Sequence, residues 1–387
     1  MIVRSKWVML ALVWLAYASF GLVSNSVAPL VTQIVADLGI SYGQMGTILG
    51  AWQLTYILVA YTAGRIVDRV GLRRALGAGL FVIALSGILR GMAVDYWTMF
   101  LAVGLFGFGG PMVSIGAPKL IATWFQGPER GTAAGIYTTG PAIGSVLALA
   151  TANSVLMPLT GSWRTTVVAY GGVALVACLV WWLVAVDRAG RPRAAGEGDM
   201  GRLLRIRNVW LVLTIGFAAF LASHALSTWL PRVLQWHGYD PVSAGYWAAI
   251  PNLVGILGAL TLPRLIPARL RTRALMLQFL AAAAALSLIG LTEGAPLIAA
   301  LFLQGFVYSS ITPFLMLVMM ETPAVGAAAM GAAGGLYFTV GEVGGFSGPS
   351  AMGILFDLTG GFALGLVGVA GLMVVMGLAC LKLERSG

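Results

Sequence analysis

The sequence predicts an all-α membrane protein with twelve transmembrane helices in two pseudo-symmetric six-helix bundles. Three observations predict it. Of 387 residues, 59% are hydrophobic and 9% charged, too apolar for one soluble core and suited to helices in lipid. The apolar residues form windows long enough to cross a bilayer at about 1.5 Å per residue, separated by turn or charge signals. Internal likeness is the third. Gly131 to Ser145 aligns without gaps on Gly331 to Gly345 with six identities in fifteen positions, and Pro158-Leu-Thr-Gly-Ser-Trp163 tracks Asp357-Leu-Thr-Gly-Gly-Phe362 at nearly the same offset. Two parallel repeats place a binding site near the midplane between them.

In chain order, spans are expected near 7–30, 45–64, 75–94, 97–124, 131–157 and 164–186, then near 208–231, 243–266, 273–291, 296–320, 327–352 and 362–381. The first starts with Arg4 and Lys6 like a signal peptide, but no small-x-small cleavage site ends it, so it stays as a helix. The long polar interruption from Asp187 to Arg207 carries Gly, Pro and six arginines. It reads as a cytoplasmic linker, giving bundles at 1–186 and 208–387 joined by 187–207.

A net charge of +10 raises the question of nucleic acid, but the basic residues recur in short clusters between spans rather than as one patch, and no such partner is expected. With the N-terminus inside, the inward segments gather nearly all of them. Arg90, Arg164 and Arg232 remain near the outer side and Lys119 within a span. That bias puts both termini in the cytoplasm and the chain in the plasma (inner) membrane. Cys178 and Cys380 fall in apolar stretches without a Cys/His cluster, so neither a metal nor another cofactor is expected.

Gly64-Arg-Ile-Val-Asp-Arg-Val-Gly-Leu-Arg-Arg74 is a charged, glycine-punctuated turn between two spans. Gly64 and Gly71 allow tight turning, Asp68 can face a helix N-terminus, and Arg69, Arg73 and Arg74 favour the cytoplasmic side. The pattern resembles the signature between the second and third helices of the major facilitator superfamily, although Leu72 stands where a basic residue is usual. The resemblance implies a central substrate cavity between two rocking bundles, with Gly64, Asp68, Arg69, Gly71, Arg73 and Arg74 as a conformational latch. Finer likenesses, in Trp124 to Gly135, Gly87-Ile-Leu-Arg90, Pro118-Lys-Leu-Ile121 and Thr228 to Gln235, are similar to the cyanate-permease branch, associated with small anions and small nitrogen compounds. Gly116-Ala117 departs from that branch's pattern. Gly140-Pro-Ala-Ile-Gly144 resembles the core of an antiporter motif, with Ile136 and Ser145 replacing glycines.

Polar side chains in hydrocarbon are costly, so each is a candidate. Glu342, near mid-membrane with Ala142 as its repeat partner, is the candidate for proton coupling, against a structural hydrogen bond. His224 is expected within about 10 Å of the outer end of its span, either donating to an anion or held by a neighbouring helix. Lys119 can attract an anion or snorkel to the interface. Arg90 suits snorkelling or pairing with Asp95, and the branch resemblance adds a role as substrate ligand. Asn25, Gln53, Tyr56, Tyr137, Asn252, Gln304, Tyr308 and Tyr337 are neutral candidates for solute contact, or helix glue. Gln304, Tyr308 and Thr312 share one face at i, i+4, i+8.

The functional expectation is a monomeric secondary active transporter of a small polar solute, most simply a small anion, with protons and membrane lipids as further partners. The alternatives are an exporter of amphipathic drugs or metabolites and a nutrient sensor on the same fold. Export is disfavoured because most aromatics fall at span ends. An enzyme is not expected, because no nucleophile with a base, metal-spaced histidines or phosphate loop is found.

Overall fold

The computed structural model describes residues 5–187, 200–322 and 325–383. Most of the linker, with Arg188, Arg191 and Arg193, lies outside the described residues, as do Arg4 and Arg385. Among the described residues there are twelve long helical rods. The first six are α1 (Lys6–Ser24, resumed over Val31–Leu38), α2 (Tyr42–Val70), α3 (Leu72–Gly91), α4 (Tyr96–Trp124), α5 (Pro128–Thr151, extended to Thr160) and α6 (Trp163–Val184). The last six are α7 (Arg207–Trp236), α8 (Pro241–Leu265), α9 (Arg271–Leu291), α10 (Ala295–Tyr308, then Ile311–Glu321), α11 (Gly326–Thr359) and α12 (Ala363–Ala379). Ten are both long and apolar enough to cross a membrane; α2 and α11 complete the set.

The pairing of helices repeats. In the first bundle α1 packs on α5, α2 and α3 on α4, and α3 on α6; in the second α7 packs on α11, α8 and α9 on α10, and α9 on α12. The two bundles meet through the matching pairs α2 with α11 and α5 with α8. Backbones come close there because the crossing residues are glycines. A methyl group on Gly46 would lie 2.4 Å from the Pro349 carbonyl oxygen, and one on Gly245 would lie 2.4 Å from that of Leu149. Small residues let membrane helices associate where no hydrophobic drive remains.

Ion pairs and caps mark two ends. At the end where the chain starts, here proximal, Lys6 pairs with Glu129 at 2.5 Å, Lys119 with Asp68 at 2.7 Å, and Arg271 with Glu321. At the distal end Arg164 pairs with Asp37, and Asp95 caps α4 by accepting from the Thr98 amide and hydroxyl. Those bonds, the amide's first, hold the Asp95 carboxyl below the usual carboxylate range.

Several boundaries differ from the sequence expectation. Span seven, expected to end near 231, runs on to Trp236, and span eleven, expected to end near 352, runs on to Thr359; Pro231 and Pro349 sit inside these helices, as membrane helices allow when neighbours re-satisfy the backbone. The first span instead breaks after Ser24, and Pro29 opens a short 3₁₀ turn before the chain continues to Leu38. Aromatics also occur mid-span: Trp52 and Phe106 are buried towards the middle of α2 and α4.

Candidate functional site

Gly71 fixes the proximal hinge. Its φ of 91° is a left-handed conformation that side chains resist, and it turns α2 directly into α3. Asp187 then accepts from the Arg73 backbone amide at 2.9 Å, while the Arg73 guanidinium donates to the Trp182 carbonyl at 2.7 Å. Asp68 is held by Lys119, whose ammonium also donates to the Gly64 carbonyl at 3.3 Å. Lys119 therefore belongs to this hinge and not to the lining of the central cavity. Arg69 and Arg74 are exposed.

Arg90 neither snorkels nor reaches Asp95. It is 1% exposed, donates to the Val23 carbonyl and to Ser26 Oγ at 3.1 Å, and lies over the Phe106 ring at 5.7 Å. The Val23 carbonyl belongs to the end of the broken first helix, where the helix dipole is negative, and that end stabilises a buried guanidinium. Its Nε and Nη2 atoms have no hydrogen-bond partner.

Between the bundles, mid-length on α7, α2 and α11, stand His224, Gln53 and Glu342. His224 lies near the middle of a 30-residue helix, deeper than expected, because α7 continues past Pro231 to Trp236. Its Nε2 is 3.9 Å from Glu342 Oε2. Gln53 is 0% and Glu342 5% exposed. A run of rings reaches this point from both bundles: Tyr137 on Tyr17 at 5.6 Å, Phe20 on Trp52 at 6.1 Å, Trp52 on His224 at 5.7 Å, and Phe220 on Tyr337 at 5.8 Å.

The turn of α7 that carries Ser223 and Ser227 lines a cavity of about 280 Å³ together with Thr138, Asn252, Gln304 and Tyr308, among others. It lies among α5, α7, α8 and α10. Asn252, Gln304 and Tyr308 are thus brought together, but the Tyr308 hydroxyl is already given to the Ala219 carbonyl. Thr312 does not continue their face. Ser309 and Ser310 interrupt α10, since Pro313 lacks the amide that would bond the Ser309 carbonyl and its ring crowds that oxygen.

The remaining candidates are elsewhere. Asn25 donates to Ser145 Oγ at 2.9 Å and ties α1 to α5; Tyr56 bonds Ser114 at 2.9 Å; Tyr337 is fully buried with its hydroxyl 3.4 Å from Thr312 Oγ1. Thr138 and Ser223 in the lining, and Trp52 against His224, escape sequence reasoning. Small hydroxyls in apolar helices commonly bond back to their own backbone, and a mid-span tryptophan reads as core.

With this geometry in view, the comparisons are coherent. The chain is 25% identical over 389 residues to an uncharacterized transporter, YycB, of Bacillus subtilis, covering 97% of this chain and 93% of the relative. It is 29% identical to a probable L-galactonate transporter of Escherichia coli, over 58% of this chain and 53% of that protein. It is 27% identical to a quinolone resistance transporter of Acinetobacter baumannii, over 86% and 82%. The fold matches the crystal structure of a bacterial homologue of the human lysosomal transporter Spinster, described as inward-facing and occupied, with a TM-score of 0.76 at 17% identity over 99% of this chain and 97% of that one. The Major Facilitator Superfamily model matches residues 13–349; the chain belongs to that superfamily and is a membrane solute transporter, not an enzyme.

Proposed function

We propose that this transporter moves a small hydroxylated carboxylate, of the sugar-acid class, by alternating access of the bundles 1–186 and 208–387, coupled to protons through Glu342. The observation that carries the reading is a cavity whose lining includes the hydroxyl and amide groups of Thr138, Ser223, Ser227, Asn252, Gln304 and Ser309. Hydroxyls and amides suit a solute with several hydroxyls. Relatives named for L-galactonate and hexuronate transport support the class. A cavity of about 280 Å³ is far larger than a triatomic anion needs, so the solute class widens from that of the cyanate-permease branch. Arg90, with two free guanidinium nitrogens, is the buried cation available to a carboxylate when the bundles rearrange. Bonds between the bundles lie at the distal end, and the positive-inside bias puts the proximal end in the cytoplasm; together these support an inward-facing conformation in the plasma membrane.

A second reading is export of an aromatic amphipath. The ring run through Tyr17, Phe20 and Trp52 and the quinolone-resistance relative favour it.

One experiment separates the readings: uptake by proteoliposomes of labelled galacturonate, galactonate, cyanate and a quinolone, with and without an inward proton gradient. Gradient-driven, uncoupler-sensitive uptake of a sugar acid is expected. Movement of the quinolone alone overturns the proposal in favour of export, and binding without movement leaves a sensor. Glu342→Gln is expected to abolish gradient-driven accumulation while retaining exchange of labelled for unlabelled solute. Surviving gradient-driven uptake would remove Glu342 from coupling.

A further inference from the structure

Three polar side chains from both bundles converge on one glycine. A methyl group built on Gly345 would lie 2.8 Å from Glu342 Oε2, 3.2 Å from Gln53 Cγ and 3.3 Å from His224 Nδ1. Among the described residues, Glu342 Oε2 and both amide atoms of Gln53 are buried without a hydrogen-bond partner. Unpaired polar atoms at such depth are costly, and several at one point call for an occupant.

The imidazole identifies it. His224 Nδ1 is 3.0 Å from the Phe220 carbonyl oxygen, an acceptor only, so in the neutral ring Nδ1 carries the hydrogen and Nε2 keeps a lone pair. That lone pair faces Glu342 Oε2 at 3.9 Å. A carboxylate and a bare imidazole nitrogen repel; one proton between them turns repulsion into a hydrogen bond, and a shift of under an ångström closes the distance.

We infer that His224 and Glu342 together hold one exchangeable proton, and that Gln53, from the opposite bundle, ties its occupancy to the approach of α2 and α11. The inference rests on the proton-coupled reading above. The proton sits on Oε2, giving carboxylic acid beside imidazole, or on Nε2, giving carboxylate beside imidazolium; both forms are neutral overall. Its release leaves one uncompensated negative charge on the carboxylate, to which the Gln53 amide N–H can donate. From α2 the titratable group facing Glu342 is Tyr56, whose hydroxyl is engaged with Ser114. Residues 363–379 of α12 contain no charged or histidine side chain. Glu321 of α10 is occupied at the proximal end by Arg271. His224 thereby becomes part of the proton site instead of a solute ligand.

Trp52, 5.7 Å from His224 ring to ring, supplies the readout, because in either form uptake of the proton changes the net charge beside the indole by one and so alters its emission. The full chain in nanodiscs is titrated from about pH 5 to about pH 9, the range in which histidine charge changes. The Trp52→Phe variant isolates the Trp52 contribution to emission. A Trp52-dependent step is expected in the wild type and is expected to vanish in Glu342→Gln. In Gln53→Leu its midpoint should rise by about one pH unit, a tenfold gain in proton affinity. Gly345→Ala, which keeps both titrating groups but drives a methyl between them, should also abolish the step; it serves if Glu342→Gln does not fold. No step in the wild type, a step unchanged by Glu342→Gln, or a step produced by sodium at constant pH would each overturn the inference. No solute is needed, so failure of sugar-acid uptake and failure of the proton site are read separately.

Discussion

The two ends of the molecule hold together by different means. At the distal end, besides the Arg164–Asp37 pair inside the first bundle, bonds run between bundles: the Tyr42 and Gly43 amides of α2 donate to the Asp357 carboxylate of α11 at 3.0 and 2.7 Å, Arg232 donates to the Tyr42 hydroxyl at 3.0 Å, and Thr32 to Gln235 at 2.8 Å. At the proximal end the pairs Lys6 with Glu129, Lys119 with Asp68, and Arg271 with Glu321 each stay inside one bundle. The distal contacts depend on close backbone approach and helix ends; the proximal ones are half-exposed charges that brace each bundle for itself. Closure is thus built into glycine-lined crossings, while the charged turns leave the bundles free to part.

Filling the crossings should break this contrast most severely. Gly46→Trp with Gly245→Trp puts indoles where a methyl already meets a carbonyl at 2.4 Å, so distal closure is excluded. Uptake should fall to background while a cysteine placed at Thr32 becomes reactive to a polar thiol reagent. Normal uptake would show that these crossings do not control closure. Asp357→Ala is expected to act in the same direction but less. It removes a carboxylate that caps a helix N-terminus through two amides, worth about 1–2 kcal/mol, so the distally open fraction should rise about 5–30-fold. Spin-label distances between Thr32 and Gln235 positions measure it, and unchanged distances would reduce the cap to a local feature.

How much of this was readable beforehand depends on the kind of physics. Hydropathy with the bilayer's fixed thickness revealed twelve helices, and the glycine-rich likeness between Gly131–Ser145 and Gly331–Gly345 anticipated the helix pairing that repeats from one bundle to the other. Span ends were less legible: α7 runs past Pro231 to Trp236, because proline stops helices in water more firmly than in a bundle. Rarity in hydrocarbon picked out Glu342, His224 and Gln53 singly. Their meeting over Gly345 was not readable, since α2 and α11 are joined only by tertiary packing. Arg90 shows the same limit: its partner is a backbone carbonyl exposed by the break in α1, and a carbonyl has no sequence signature.

The proximal pairs sharpen the comparison from the weak side. Asp68→Asn removes a pair with side chains 35% and 27% exposed, so its cost in stability should stay under about 1 kcal/mol. Transport should nevertheless drop more than the melting temperature suggests if the turn latches the opposite conformation. Equal losses in both would make Asp68 merely structural.

Lys6 and Glu129 should matter least. Their side chains are 37% and 50% exposed, where solvent and salt screen the attraction and ordering two long side chains offsets much of it. A double-mutant cycle with Lys6→Ala and Glu129→Ala should give a coupling of at most about 0.5 kcal/mol, falling further as salt is raised, with uptake unchanged. The pair joins α1 to α5 and so moves as part of one bundle, which is why breaking it leaves the balance between open and closed ends where it was. A coupling several times larger, or a change in Thr32 reactivity at the far end, would mean that the bracing within a bundle also sets the distance between bundles.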